Sequence, residues 1–224
     1  MDFSQIQKEI INEEKIIQET VDYMKNRLMS ESSGHDWWHV YRVWKMAAKI
    51  AKEEKANMFV VQLASLLHDI ADWKFHGGDI LIGPKIASQF LNEKLVDQKI
   101  IDQVFIIIEN ISFKGARTKE KELSLEGQIV QDADRLDAIG AIGIARTFAY
   151  GGFTKQELYN PEMSPTLHKT FEEYKNSKTT TINHFYEKLL LLKDRMNTQT
   201  AKNIAVKRHA YMENFLIEFF EEQE

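Results

Sequence analysis

Apolar residues recur every three or four positions along almost the whole chain, and only three prolines, Pro84, Pro161 and Pro165, interrupt them. That spacing belongs to amphipathic helix, and no segment alternates apolar and polar residues as a half-buried strand does. The pattern predicts an all-α fold. At 224 residues the chain is long enough to bury a core of its own. We expect one domain over 1–224, a helical bundle with its chemistry in about 20–150 and C-terminal helices over 166–222 completing a pocket.

The expected helices follow from stripes and punctuation. Ile6, Ile10, Ile16, Ile17, Val21, Met24 and Leu28 share one face of a helix over 4–28, which Ser32-Ser33-Gly34 ends. A second helix is expected from about Trp37 to Glu54, and Asn57 reads as the cap of a third. Pro84 opens a short helix ending near Leu91, and residues 97–111 form a buried one through Ile100, Val104, Ile107, Ile108 and Ile111. Helix is expected again over about 124–148, broken near Gly140 to Gly143. An irregular stretch from Tyr150 to Pro165 then precedes helices at about 166–175, 180–196 and 198–222. The runs Leu189 to Leu192 and Phe215 to Phe220 read as core or as the surface of a homodimer.

Several classes are disfavoured. There is no cysteine, hence no disulfide scaffold, and no apolar run approaches the roughly 18 residues of a membrane span. The start, Met1 to Gln5, lacks the basic and apolar regions of a secretory signal, so a cytoplasmic location is expected. A net charge of −5 disfavours nucleic-acid binding through a broad basic face, while leaving room for a local phosphate pocket.

The chemistry centres on Leu63-Ala64-Ser65-Leu66-Leu67-His68-Asp69-Ile70-Ala71-Asp72, an apolar helical run that ends in a histidine and two carboxylates. Charges near a buried turn need compensation, and a divalent cation compensates imidazole and carboxylate together. Further ligands are at hand upstream, in Gly34-His35-Asp36-Trp37-Trp38-His39, and downstream, in Gln131-Asp132-Ala133-Asp134-Arg135-Leu136-Asp137. Asp134 and Asp137, three apart, share a helix face. His35 and Asp36 stand where a helix begins and its free amides can meet an anion.

The order His39, then His68-Asp69, then Asp134 resembles the H…HD…D signature of the HD-domain metal-dependent phosphohydrolases. The surrounding words, His35-Asp-x-x-His39-x-x-Arg42-Val43, His68-Asp69-Ile-Ala-Asp72-Trp-Lys74 and Asp132-Ala-Asp134-Arg-Leu-Asp137-Ala-Ile-Gly-Ala, look like those of small bacterial members. Some of these hydrolyse nucleoside triphosphates. The resemblance covers about residues 20–215 and implies that His39, His68, Asp69 and Asp134 hold one divalent ion. Two imidazoles and two carboxylates suit Mn2+ first, then Co2+, Ni2+, Fe2+ or Mg2+. Such an ion acidifies a coordinated water and withdraws charge from a phosphoryl group, so no nucleophilic side chain is required.

The resemblance also implies roles beyond the ligands. Asp72 stands at the offset of the family's usual proton acceptor and, with the ligand Asp69, is the catalytic carboxylate; its other reading is a helix-end salt bridge with Lys74. Several family members carry Glu at this offset, which reaches further. His35 is either a contact to phosphate or leaving group or a helix cap. Arg42, Lys74, Lys114, Arg135 and Arg146 are the available clamps for a polyphosphate, and each is otherwise an ordinary surface cation. Asp137 takes a sugar hydroxyl, or holds Arg135 or a ligand histidine in place. His184 and Lys188, four apart, close the pocket or lie on a helix surface. The substrate expected is a small nucleotide, preferably a (d)NTP cut to the monophosphate and pyrophosphate. A 5′-nucleotidase and a non-catalytic nucleotide sensor are the alternatives.

Overall fold

The computed structural model describes residues 3–29, 36–71, 79–113, 116, 121–168, 170, 172–173 and 178–223. No strand occurs among them, and the all-α expectation holds. The helices are α1 (Phe3–Leu28), α2 (Trp37–Glu54), α3 (Met58–Leu67), α4 (Ile82–Glu93), α5 (Gln98–Asn110), α6 (Leu125–Asp137), α7 (Gly140–Phe153), α8 (Asn183–Glu187) and α9 (Gln199–Glu221). None of them is long and apolar enough to cross a membrane. The described residues gather into two compact units, one of residues 1–111 and 123–130, the other of 112–122 and 131–224.

In the first unit α3 is the central element. Phe59, Val60, Val61, Leu63, Ala64, Leu66 and Leu67 are all buried, so this helix has no polar face. It packs against α1, α2 and α5. Each such aliphatic side chain contributes about 1.5–3 kcal/mol over its exposed state, enough to override the modest helix propensity of the β-branched Val60 and Val61. The turn before it is specified locally. Lys55 adopts the left-handed conformation (φ 57°) and ends α2, with the amides of Lys55 and Ala56 returning to the Ala51 carbonyl. The Asn57 side chain then accepts from the amides of Phe59 and Val60, the cap expected from the sequence. The Asn57 amide itself donates to Glu126 in the first turn of α6.

In the second unit α7 packs on α9, with Phe148 and Phe215 edge to face and Phe185 stacked on Phe215 at 5.8 Å. Leu189 and Leu192 are buried here and belong to the core, while Leu190 and Leu191 between them are half-buried. The break between α6 and α7 falls at Ala138 and Ile139, and Gly140 takes φ +78° as α7 begins, a conformation that favours glycine.

Two boundaries differ from expectation. Helix α7 continues to Phe153, shortening the irregular stretch. The helix expected over 180–196 is only α8, followed by 3-10 turns at Leu189–Leu191 and Lys193–Arg195. Lys188 leaves helical geometry (φ −141°, ψ −60°), while buried Glu187 accepts from the Thr166 amide and the Thr179 hydroxyl. Tertiary bonds to a carboxylate thus outweigh the propensity of a leucine-rich segment. The helix expected over 166–175 falls partly outside the described residues.

Candidate metal centre

His39 enters from the first turn of α2. Asp36 caps that helix, its carboxylate accepting from the His39 amide at 2.8 Å, and so fixes the backbone that carries the imidazole. His39 is completely buried while its neighbour Trp38 is 61% exposed, as expected for adjacent positions about 100° apart on a helix. His68 and Asp69 follow the last turn of α3. Arg27, near the end of α1, donates from Nε to the carbonyl of Ile70 at 2.9 Å and ties down the backbone just beyond them.

These residues converge. His39 Nε2 lies 3.2 Å from His68 Nε2 and 3.1 Å from Asp69 Oδ2, and His68 Nε2 lies 3.4 Å from the same Asp69 oxygen. The protonation of His68 can be read from its other side. Nδ1 sits 2.7 Å from the Ser65 carbonyl, which can only accept, so Nδ1 carries the proton. In the neutral ring Nε2 is then a lone pair, pointing at a second imidazole nitrogen and a carboxylate oxygen. Ligand histidines are held in just this way, with the far N–H given to a carbonyl. The donor set therefore fits a divalent cation of the borderline class.

The other expected residues are placed as follows. Arg42 lies one turn after His39 on α2, half-buried. Asp134 stands half-buried on α6, three residues before Asp137. Asp137 is buried and pairs with Arg146 of α7 at 2.9 Å. Arg135, also buried, donates from Nη1 to the carbonyl of Arg195 at 2.5 Å. His184 is half-buried on α8, and the ammonium of half-buried Lys188 lies 5.3 Å from the centre of the Phe113 ring. His35, Asp72, Lys74 and Lys114 lie outside the described residues.

Three contributors escaped the sequence. Arg208 of α9 donates to the carbonyl of Leu136; burial lowers its pKa, and the charge of Asp137 works against that lowering. Arg195 lies over the Phe113 ring at 5.2 Å and donates to the carbonyl of Ala116. Asp132, fully buried, ties α6 to the start of α9. One oxygen accepts from the amide and Nδ2 of Asn197, the other from the amide and hydroxyl of Thr198, at 2.8–2.9 Å. Burial pushes its carboxyl above the usual range, against the pull of those hydrogen bonds. No periodicity or motif marks an arginine 71 positions from its acid or a carboxylate that meets a distant helix cap.

Known proteins share this fold. The HD-domain family model matches residues 37–139. YpgQ of Bacillus subtilis, an uncharacterized protein, is 42% identical over 195 residues, 87% of each chain. Its crystal structure, solved in complex with ADP, superposes with a TM-score of 0.72 at 30% identity over the structural alignment, covering 94% of this chain and 96% of that one. A solved Lactobacillus plantarum protein gives a TM-score of 0.82 at 40% identity, covering 92% and 96%. An HD-superfamily hydrolase of Bacillus thuringiensis gives 0.72 at 41%, covering 94% and 98%. On the His39, His68-Asp69 constellation, the family match and these relatives, the chain belongs to the HD superfamily of hydrolases, whose domains bind divalent metal ions.

Proposed function

We propose that the protein is a metal-dependent phosphohydrolase of nucleotides, and that its preferred reaction cuts a (d)NTP between the α- and β-phosphates to give the monophosphate and pyrophosphate. The observation that carries the metal dependence is the approach of His39 Nε2, His68 Nε2 and Asp69 Oδ2 to within 3.4 Å of one another. Asp134 is the fourth ligand in this reading, and Mn2+ is the preferred ion. When bound, the ion supplies Lewis acidity and an acidified water.

The side chains do the rest. The Ser65 carbonyl holds His68 in the tautomer that offers Nε2. Asp72 accepts the proton of the attacking water, and His35, Arg42, Lys74 and Lys114 hold phosphate oxygens as the anhydride bond breaks. Arg146 is aimed by its pair with Asp137, which leaves other guanidinium N–H groups for phosphate. Asp137 also takes the sugar hydroxyl, and His184 with Lys188 closes the pocket. The crystal structure of the relative YpgQ in complex with ADP supports a nucleotide as substrate.

The test is to reconstitute the protein with Mn2+, Co2+, Ni2+ or Mg2+, incubate it with nucleoside and deoxynucleoside mono-, di- and triphosphates, and identify products by phosphorus NMR. Pyrophosphate with a monophosphate is the expected outcome. Inorganic phosphate and a nucleoside would assign a 5′-nucleotidase instead, and binding without turnover under every metal would leave a nucleotide sensor.

A further inference from the structure

The inner side of α9 is settled within the second unit: Ala201, Ala205, His209, Met212 and Leu216 are buried. Its outer side is less usual. Val206, Tyr211 and Ile217 are 58%, 56% and 54% exposed, and Ala210 among them is exposed too. Val206, Ala210 and Ile217 stand one turn and two turns apart, so they form an apolar stripe that faces away from the core, with Tyr211 on its flank. Large apolar side chains gathered on one exposed face mark a contact surface.

The charges of α9 are segregated, and in the unfavourable direction. From Gln199 to Met212 there are three cations, Lys202, Lys207 and Arg208, and no acid; from Glu213 to Glu222 there are four acids and no cation. A helix is partially positive at its amino end and partially negative at its carboxyl end, which favours acids at the first and cations at the second. Here the first turn has no acid and the last turn no base. Lys202, Lys207, Glu218 and Glu221 are exposed and form no ion pair among the described residues. The arrangement costs the lone helix stability and calls for opposite charges brought from outside the chain. A partner surface of a single sign would be repelled by one half of α9. The same helix turned end for end matches both halves.

We propose that the outer face of α9 is a homodimer interface, in which two copies of the helix pack antiparallel about a two-fold axis at the level of Met212. Val206 then meets Ile217 of the partner subunit, Lys202 meets Glu221 of the partner subunit, and Lys207 meets Glu218 of the partner subunit. The two-fold repeats each contact on the other side of the axis. The small side chain of Ala210 lets the two helices approach closely. The reading of the metal centre does not enter into it.

Sedimentation velocity of the full chain, from micromolar to near-millimolar concentration, tests the proposal. A monomer–dimer equilibrium is expected, and it weakens as salt rises. The double variant Lys202→Glu with Lys207→Glu, and separately Glu218→Lys with Glu221→Lys, each weaken the dimer at least about tenfold. Both exchanges put charges where the helix dipole favours them, so helical content by circular dichroism stays at the wild-type level. Mixed in equal amounts, the two double variants form a heterodimer, because opposite signs face each other again. Val206→Gln, which removes an apolar contact and no charge, weakens the dimer at every salt concentration. A monomer throughout that range, a dimer undiminished in either double variant, or a mixture of the two that stays monomeric would each overturn the proposal.

Discussion

His68 faces two ways: Nδ1 gives its proton to the Ser65 carbonyl at 2.7 Å, and Nε2 stands 3.2 Å from His39 Nε2. Two buried imidazoles brought this close, with the Asp69 carboxylate 3.1 Å from His39, make a donor set that a divalent cation fits. The expected consequence is that His68→Ala, His39→Ala and Asp134→Ala each lose bound metal and turnover together. Asp72→Ala keeps the metal and loses rate. Metal content by elemental analysis, measured beside product formation, separates these outcomes, and an Asp72→Ala enzyme of full activity removes that residue from the mechanism.

Metal removal should cost stability as well as activity. An ion at about a hundred times its dissociation constant stabilises the folded state by about 2.7 kcal/mol. In a chain of this size that corresponds to roughly 5–10 °C in Tm. Thermal melts before and after chelation, and again after adding Mn2+ back, measure it. His68→Ala should show no such difference.

Asp132 gives a pH dependence of unusual sign. Its folded pKa is raised, chiefly by burial, so the stability it contributes is fullest below the unfolded carboxylate pKa and is lost as pH rises through the folded one. An ion-paired carboxylate behaves the opposite way. Asp132→Asn places an amide donor against donors from Asn197 or Thr198 and should lose about 1–3 kcal/mol. In urea titrations the gap between wild type and variant should be wider in acid than at neutrality.

The ion pair of Asp137 with Arg146 is largely out of water, and Arg208 also feels the Asp137 charge. Removing the acid alone leaves cations partly desolvated, which costs several kcal/mol in a fully buried pair and less here, where Arg146 is 22% exposed. Asp137→Asn should therefore destabilise by about 1–3 kcal/mol, and the double variant with Arg146→Met by less than the sum of the two single losses. Chemical unfolding of the four proteins measures the coupling.

Two glycines of α7 should respond oppositely to alanine. A Cβ at Gly143 would run into the carbonyl of Ala138, whereas one at Gly152 meets nothing within 4 Å. Gly143→Ala should fold poorly or lose more than about 2 kcal/mol. Gly152→Ala should be neutral or up to about 1 kcal/mol more stable. Thermal melts of the pair read out the contrast.

Helices α2, α3, α5 and α9 were legible because their stripes, caps and breakers are local: Asp36 and Asn57 accept from amides two or three residues ahead, and Leu63 to Leu67 leave no polar face to doubt. The candidate ligands His39, His68 and Asp69 were legible for a different reason. Polar groups at the ends of buried turns are too costly to be incidental, and their order matches a family. The segment over 180–196 was not, because buried Glu187 draws its donors from Thr166 and Thr179.

By itself, the chain order of residues determined which side chains are available for chemistry and which segments are helical, since both depend on identity and on spacing of three or four. Tertiary structure alone decided how those groups are used. Only packing of α2 on α3 sets His39 against His68. Only the meeting of α6 and α7 with α9 gives Asp137 its arginines and Asp132 its four donors, because these bonds close loops of 9 to 72 residues that no local rule spans.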